Sequence, residues 1–171
     1  MLEMFTEPRG VAVIGASTDP AKLGYQVLNN VIQYGYEGGI YPINPKAPEI
    51  LGKKAYPTVL ECPDPVDMAV ILVPNKAVPG VIEQCGERGI KGAVIITAGF
   101  RESGREGRIL QDQVLEIATR YGMRLIGPNV LGIIDTVHGV QDFSEPDYGT
   151  LTHLTNQYAA MPSLHFGWSL W

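Results

Sequence analysis

The residues best able to do chemistry stand in short polar turns, each directly after an apolar run. Gly15-Ala16-Ser17-Thr18-Asp19-Pro20-Ala21-Lys22-Leu23-Gly24 follows the run Gly10–Ile14. Small residues there let backbone amides and a helix N-terminus close on a pyrophosphate. The turn is not G-x-G-x-x-G, because Ser17 takes the place of the second glycine, and no G-K-[ST] of a Walker loop follows. By itself it suits a tight strand-to-helix connection as well as a nucleotide. The run Gly39–Ile43 ends in Asn44-Pro45-Lys46, where an NAD-binding fold carries an Asp or Glu for the ribose hydroxyls. A lysine there attracts a phosphate on the adenosine ribose, as in coenzyme A (3′-phosphate) or NADP (2′-phosphate). A solvated loop lysine is the alternative. Val73-Pro74-Asn75, Thr97-Ala98-Gly99-Phe100 and Gly127-Pro128-Asn129 close three further runs. They are poor in acids and bases and suit a thin extended ligand such as a pantetheine arm, although each is also ordinary turn chemistry. The nearby acids Asp19 and Glu102 read as a helix cap and a surface carboxylate, so no catalytic residue is assigned.

The elements that position these turns follow from two periods. Gly10–Ile14, Gly39–Ile43, 66–73 (VDMAVILV), 92–97 (GAVIIT) and 123–126 (MRLI) are short apolar runs suited to strands buried on both faces of a parallel sheet. A first helix is expected from Asp19-Pro20, an acceptor side chain followed by proline, with Leu23, Val27, Val31 and Ile32 inward and Gly35 as its stop. A second runs from about Asn75 to Arg88, ended by Gly89. A third opens on Ser103-Gly104-Arg105-Glu106, a capping-box spacing, buries Ile109, Leu110, Val114, Ile117 and Ala118, and ends at Gly122. Residues 45–65, rich in proline, read as a loop-rich connection containing one short strand or turn. Strand–helix–strand alternation of this kind gives an α/β fold: a Rossmann-like, doubly wound parallel sheet with helices on both faces, binding its ligand at the carboxyl ends of the strands.

Composition narrows the function. A chain of 171 residues with 45% apolar and 18% charged side chains makes one globular domain with a short appendage. The net charge of −5 argues against nucleic acid. The longest apolar run, 68–73, is too short to cross a bilayer, and Glu3 and Glu7 stand where a signal peptide would be apolar. Cys62 and Cys85 show no metal or redox spacing and fit a reducing, cytoplasmic compartment. The composition breaks near residue 135: no Lys or Arg follows Arg124, no charged residue follows Asp147, and all the histidines and tryptophans lie beyond 135.

Five ordered blocks, VAVIGAS, YPINPKAPEILGKKAYPTV, PVDMAVILVP, KGAVIITAGF and RLIGPNVLGII, together resemble the CoA-binding domain of the ADP-forming acyl-CoA synthetases. That family includes the acetate–CoA ligases and the succinyl-CoA synthetase α subunit, and the resemblance covers about residues 5–135. It implies that Gly15, Ala16 and Ser17 hold the CoA phosphates with Lys22 and Gly24 nearby, and that Asn44 and Lys46 lie at the adenosine phosphate. By the same resemblance Val73 and Pro74 flank the adenine or pantetheine, and Ile96, Thr97, Ala98 and Gly99 line the arm. Val130 stands where the ligase branch usually has a cysteine. The family makes acyl phosphate through a phosphohistidine domain and an ATP-grasp module. Residues 1–135 hold no histidine, so the resemblance implies CoA or acyl-CoA binding without catalysis in this chain alone, with the ligase and ATP-grasp parts as partners.

Residues from about 136 differ in character and are expected to be irregular or helical and poorly ordered. The stretch containing Pro162-Ser163-Leu164-His165 resembles the P-S-x-H motif of the type 2 phosphatidic-acid phosphatases. Neither the Arg-Pro motif that precedes it in that family nor the nucleophilic histidine motif that follows it is present. A composite joined near residues 132–136 is expected. Two other functions remain open on the residues alone: an NADP-binding oxidoreductase or redox sensor, and a fragment of a membrane lipid phosphatase.

Overall fold

Alternation at period two sends Val11 and Val13 to one side of the run Gly10–Ile14 and Ala12 and Ile14 to the other, and every one of them is buried. A strand with no wet face belongs inside a parallel sheet. The computed structural model describes residues 3–130. In chain order these form α1 (Glu3–Thr6), β1 (Gly10–Ile14), α2 (Leu23–Gln33), β2 (Gly39–Ile43) and a small hairpin of β3 (Glu49–Ile50) and β4 (Lys53–Lys54). Then follow β5 (Met68–Ile71), α3 (Val78–Glu87), β6 (Gly92–Ile95), α4 (Arg105–Arg120) and β7 (Arg124–Ile126). The main sheet has five parallel strands in the order β2-β1-β5-β6-β7. The chain leaves β1 toward β2 and later crosses to β5 on the other side, so a crevice opens between the carboxyl ends of β1 and β5.

Each sheet face has its own core. The inner side chains of α3 (Val78, Ile82, Cys85) and α4 (Val114, Ile117, Ala118), with Phe100, cover Ala12, Ile14, Ala69, Ile71, Ala93 and Ile95. On the opposite face Val27 and Leu28 of α2, with Phe5, Ile50 and Ala55, cover Val11, Val13, Met68, Val70, Val94 and Ile96. The expected doubly wound α/β sheet with helices on both faces is therefore present. The expected tail from 136 and the junction at 132–136 lie outside the described residues.

Several local expectations are corrected. Helix α2 starts at Leu23, not at Asp19-Pro20, because the polar side chains before it close turns instead. Ser17 Oγ accepts from Asp19 N at 3.0 Å, Asp19 Oδ1 accepts from Ala21 N at 3.0 Å, and no side chain caps the helix at Lys22. Leu28, fully buried, contributes to the inward stripe where Val31 was expected to. The capping box at Ser103 does not form: Ser103 ends a 3-10 turn, and Gly104 at φ +95° precedes α4 without a side-chain cap. Ile109 is 59% exposed. Gly107 takes the buried position instead, pressed so closely on the Phe100 carbonyl that a Cβ would collide with it, and Ile109 stands about 200° further round the helix. Residues 45–65 hold more structure than expected: the hairpin, a 3-10 turn at Val59–Glu61 and a cis Asp64-Pro65 bond. Strands β5 and β6 stop short of the ends of their apolar runs, whose last residues already belong to the turns, and β5 and β7 begin one or two residues inside theirs.

At the amino end of the sheet, Arg9 ties the approach to β1 to the approach to β5. Its Nε and Nη2 donate to the Asp67 carboxylate at 2.9 and 2.8 Å, and its backbone N donates to the same group at 2.9 Å. The Arg9 hydrogen bonds hold the Asp67 carboxyl below its ordinary value of 3.8 against a smaller opposing effect of burial. A lowered carboxyl contributes stability that is complete above its unfolded value and is lost as pH falls through the folded one.

Gly107→Ala costs about 1–3 kcal/mol of unfolding free energy in urea. Gly80→Ala, in α3 with nothing within 4 Å of its would-be Cβ, is neutral or stabilises by about 0.5–1 kcal/mol; equal effects would refute the close contact at Phe100. In addition, the stability gap between wild type and Asp67→Asn is constant above about pH 5 and closes as pH falls below 4. A gap that widens on acidification would contradict the Arg9–Asp67 pairing.

Candidate functional site at the carboxyl edge of the sheet

The turn after β1 is built by two close approaches. Gly15 has φ +95°, and a Cβ there would stand 3.0–3.2 Å from the Leu72 and Val73 backbone. The turn after β1 therefore lies directly against the turn after β5, across the crevice where the strand order reverses. Gly24 presses the first turn of α2 onto the Gly15 carbonyl, where any side chain would collide. The helix thus begins close to the crevice with no side-chain acceptor on its N-terminus, an arrangement that favours an anion.

Asn44 joins the second turn to the first. Its Nδ2 donates to Ala16 O at 2.8 Å, its Oδ1 accepts from Lys46 N at 2.8 Å, and its own N donates to Tyr56 O at 2.9 Å. Both ends of the amide are engaged within the protein, so Asn44 shapes the turn that carries Lys46. On the other side of the crevice, Thr97 Oγ1 donates to Val73 O at 2.7 Å and Asn75 Nδ2 donates to Gly99 O at 2.6 Å. Asn129 N donates to Thr97 O at 3.1 Å and brings in the turn after β7. Glu102 is exposed, as expected of a surface carboxylate, and also braces the turn after β6: its Oε1 accepts from Gly99 N at 2.7 Å and Phe100 N at 3.2 Å.

The structure thus places the expected residues along one edge. Gly15, Ala16, Ser17, Lys22 and Gly24 form the turn and helix start after β1, and Asn44 and Lys46 follow β2. Val73 and Pro74 follow β5, and Ile96, Thr97, Ala98 and Gly99 follow β6. Ala16 and Ile96 point into the α2-side core, at 2% and 9% exposure, which leaves their backbone for any ligand. Lys22, Lys46 and Pro74 are exposed. Two further cations, Lys76 and Arg101, stand exposed in the turns after β5 and β6. Neither these nor Lys22 and Lys46 form an ion pair among the described residues. The sequence marks Asn75 only as the end of the Val73-Pro74-Asn75 turn and Glu102 only as a surface carboxylate, and it does not mark Lys76 or Arg101. Their signal was position alone, a polar residue within a few places of a strand's carboxyl end.

The chemistry this edge can offer is attraction of anions by backbone amides and exposed lysines. Burial pushes the Cys62 thiol up to about 11 and the Cys85 thiol up to about 12, so both are protonated and unreactive near neutrality. Among the described residues no cluster of three His, Cys, Asp or Glu side chains could hold a metal. A hollow of about 250 Å³ lined by Glu3, Met4, Glu7, Arg9, Asp67 and Lys91 lies at the other, amino end of the strands, away from the strand-order reversal.

The profile of the CoA binding domain family matches residues 9–136. The chain belongs to that family. This CoA-binding domain is 53% identical over 137 residues to the α subunit of acetate–CoA ligase (ADP-forming) II of Pyrococcus furiosus, covering 80% of this chain and 30% of that one. Among solved structures it superposes with a TM-score of 0.74 and 49% identity on the apo form of the dinucleotide-forming acetyl-coenzyme A synthetase 1 of Ca. Korarchaeum cryptofilum. That match covers 77% of this chain and 28% of the synthetase. The chain therefore spans under a third of the length of these relatives. A conserved hypothetical protein of Pyrococcus furiosus, 30% identical with a TM-score of 0.56, is covered over 90% of its length, so the fold also makes up nearly all of a smaller chain. The profile of the PAP2 superfamily matches residues 113–171. Where that match falls on described residues, 113–130, the structure places them in α4, β7 and the turn after it, within the CoA-binding domain.

Proposed function

We propose that the carboxyl edge of this sheet binds coenzyme A or an acyl-CoA, and that the chain serves as the CoA-holding part of an ADP-forming acyl-CoA ligase. The observation that carries the reading is the Asn44-Pro45-Lys46 turn. Asn44 fastens it to Ala16 in the turn after β1, and it offers a lysine where an NAD-binding fold offers a carboxylate. In this reading the amides of Gly15, Ala16 and Ser17 and the start of α2, with Lys22 and Gly24, take the pyrophosphate. Lys46 takes the ribose 3′-phosphate. Val73 and Pro74 flank the ligand, and the backbone of Ile96, Thr97, Ala98 and Gly99 lines the arm toward the thiol.

The reaction of such a ligase converts acyl-CoA, ADP and phosphate to free acid, CoA and ATP. The relatives are named as ADP-forming acetate–CoA ligases, and one solved synthetase carries phosphate and ADP. The phosphoryl-carrying groups of that reaction belong, in this reading, to segments or subunits that the relatives have beyond the matched region. Here the chain supplies the bound thiol and its orientation. We place it in the cytoplasm with its substrates; among the described residues no helix is long and apolar enough to cross a membrane. The tail from about 136, with Ser163 and His165, is read as a stretch related to the lipid phosphatases.

Calorimetric titration with CoA and with NADPH tests the reading. CoA binds more tightly, and Lys46→Glu weakens it about thirtyfold at low ionic strength, by a factor that shrinks as salt is added. Tighter NADPH binding would turn the assignment to an NADP-dependent oxidoreductase, and no binding of either ligand at millimolar concentration would overturn it. A chain ended after Asp135 keeps its CoA affinity; a large loss would show that the tail belongs to the site.

A further inference from the structure

One polar side chain at the rim has both ends occupied within the protein and yet stands between two ligand-facing turns. Asn75, after β5, donates from Nδ2 to Gly99 O at 2.6 Å and accepts at Oδ1 from Lys76 N at 2.8 Å. Thr97, after β6, donates in the opposite direction to Val73 O at 2.7 Å. The two turns thus exchange one side-chain hydrogen bond each way, and Glu102 holds Gly99 N from beyond. Gly99, at φ +97°, is part of the same contact, since a Cβ there would stand 2.5 Å from Asn75 Nδ2. Asn44 plays the matching part between the turns after β2 and β1. Between the turns after β1 and β5, by contrast, no side-chain hydrogen bond runs among the described residues; they meet by backbone at Gly15. The rim is therefore two separately clamped halves that touch where the strand order reverses.

Resting on the CoA reading above, we propose that Asn75 is a positioning residue for the thiol arm: it fixes the β5/β6 half of the rim without touching the ligand and without governing the adenosine phosphate end. Freeing these turns would make arm binding bear the cost of ordering them. In this proposal Val73 and Pro74 meet the pantetheine, and the adenosine with its phosphates rests on the other half, held by Asn44.

The test is calorimetry on the full chain with CoA and with adenosine 3′,5′-bisphosphate, which keeps the ribose phosphate and lacks the arm. Asn75→Ala weakens CoA about tenfold, the loss expected for one well-formed hydrogen bond, and changes the bisphosphate by less than about twofold. Asn44→Ala weakens both ligands by a similar factor. Asn75→Asp, which keeps the acceptor for Lys76 N but sets a carboxylate oxygen against Gly99 O, reproduces the Asn75→Ala loss. Should Asn75→Ala not fold, Thr97→Val opens the same two turns from the other strand and carries the same expectation. A purely structural role would lower the melting temperature and leave the ratio of the two affinities unchanged, and that result overturns the proposal, as does an unaltered CoA affinity in Asn75→Ala. If the wild type binds neither ligand, the CoA reading itself fails. If it binds both and only the ratio stays fixed, the positioning role alone fails.

Discussion

Everything at the carboxyl edge depends on how closely the chain packs at one point. Gly15 lies against the Leu72–Val73 backbone in a left-handed conformation, and Gly24 lies against the Gly15 carbonyl. A side chain at either place would push the turn after β1 away from the turn after β5, or lift α2 off the sheet. The crevice that strand-order reversal opens would then be filled by protein. Because both positions are glycine, the start of α2 arrives close beside the crevice, where no side chain caps it at Lys22 and its backbone amides are left to face an anion.

Holding such an arrangement still requires polar side chains that bond to neighbouring turns along the rim. Asn44, Asn75, Thr97 and Glu102 spend their hydrogen-bonding capacity on neighbouring turns, while the lysines remain outside, exposed and without ion pairs among the described residues. The division is physically sensible. Short amides give directional bonds that fix backbone, and long cations give charge that can follow a flexible phosphate. The same division leaves the edge with exposed positive charge and with acids and amides already engaged by the backbone.

Sheet and helix layers were legible in the sequence because burial on two faces writes itself as unbroken apolar runs, and an amphipathic helix as a recurring stripe. The turn at Gly15, the lysine after β2 and the stops at Gly35, Gly89 and Gly122, all left-handed in the structure, were legible for the same local reason. What failed was the assignment of polar partners. Asp19 and Ser103 each had the type and spacing of a cap, but a serine or aspartate oxygen accepts from whichever amide the turn brings near. The turns here brought Ala21 to Asp19 and left Ser103 in a 3-10 turn. Ile109 looked inward on hydrophobicity alone, whereas the phase of α4 was set by the contact of Gly107 with Phe100. The ties made by Asn75 and Glu102 join residues on different strands or fold back over a bend, and no period in the sequence records them. The ordered blocks reached the family that the profile match and the relatives show, since each block is one of the turns on which the crevice depends.

We propose that the ligand lies across the carboxyl ends of β1, β2, β5 and β6, on turns the protein holds in place. Backbone hydrogen exchange of the full chain with and without saturating CoA measures this most directly. Slowed exchange is expected at Gly15 to Lys22, at Asn44 and Lys46, around Val73 to Lys76, and at Thr97 to Phe100. Protection that instead gathers at the amino ends of the strands, around Arg9, Asp67 and Lys91, or that is absent at millimolar CoA, would contradict it.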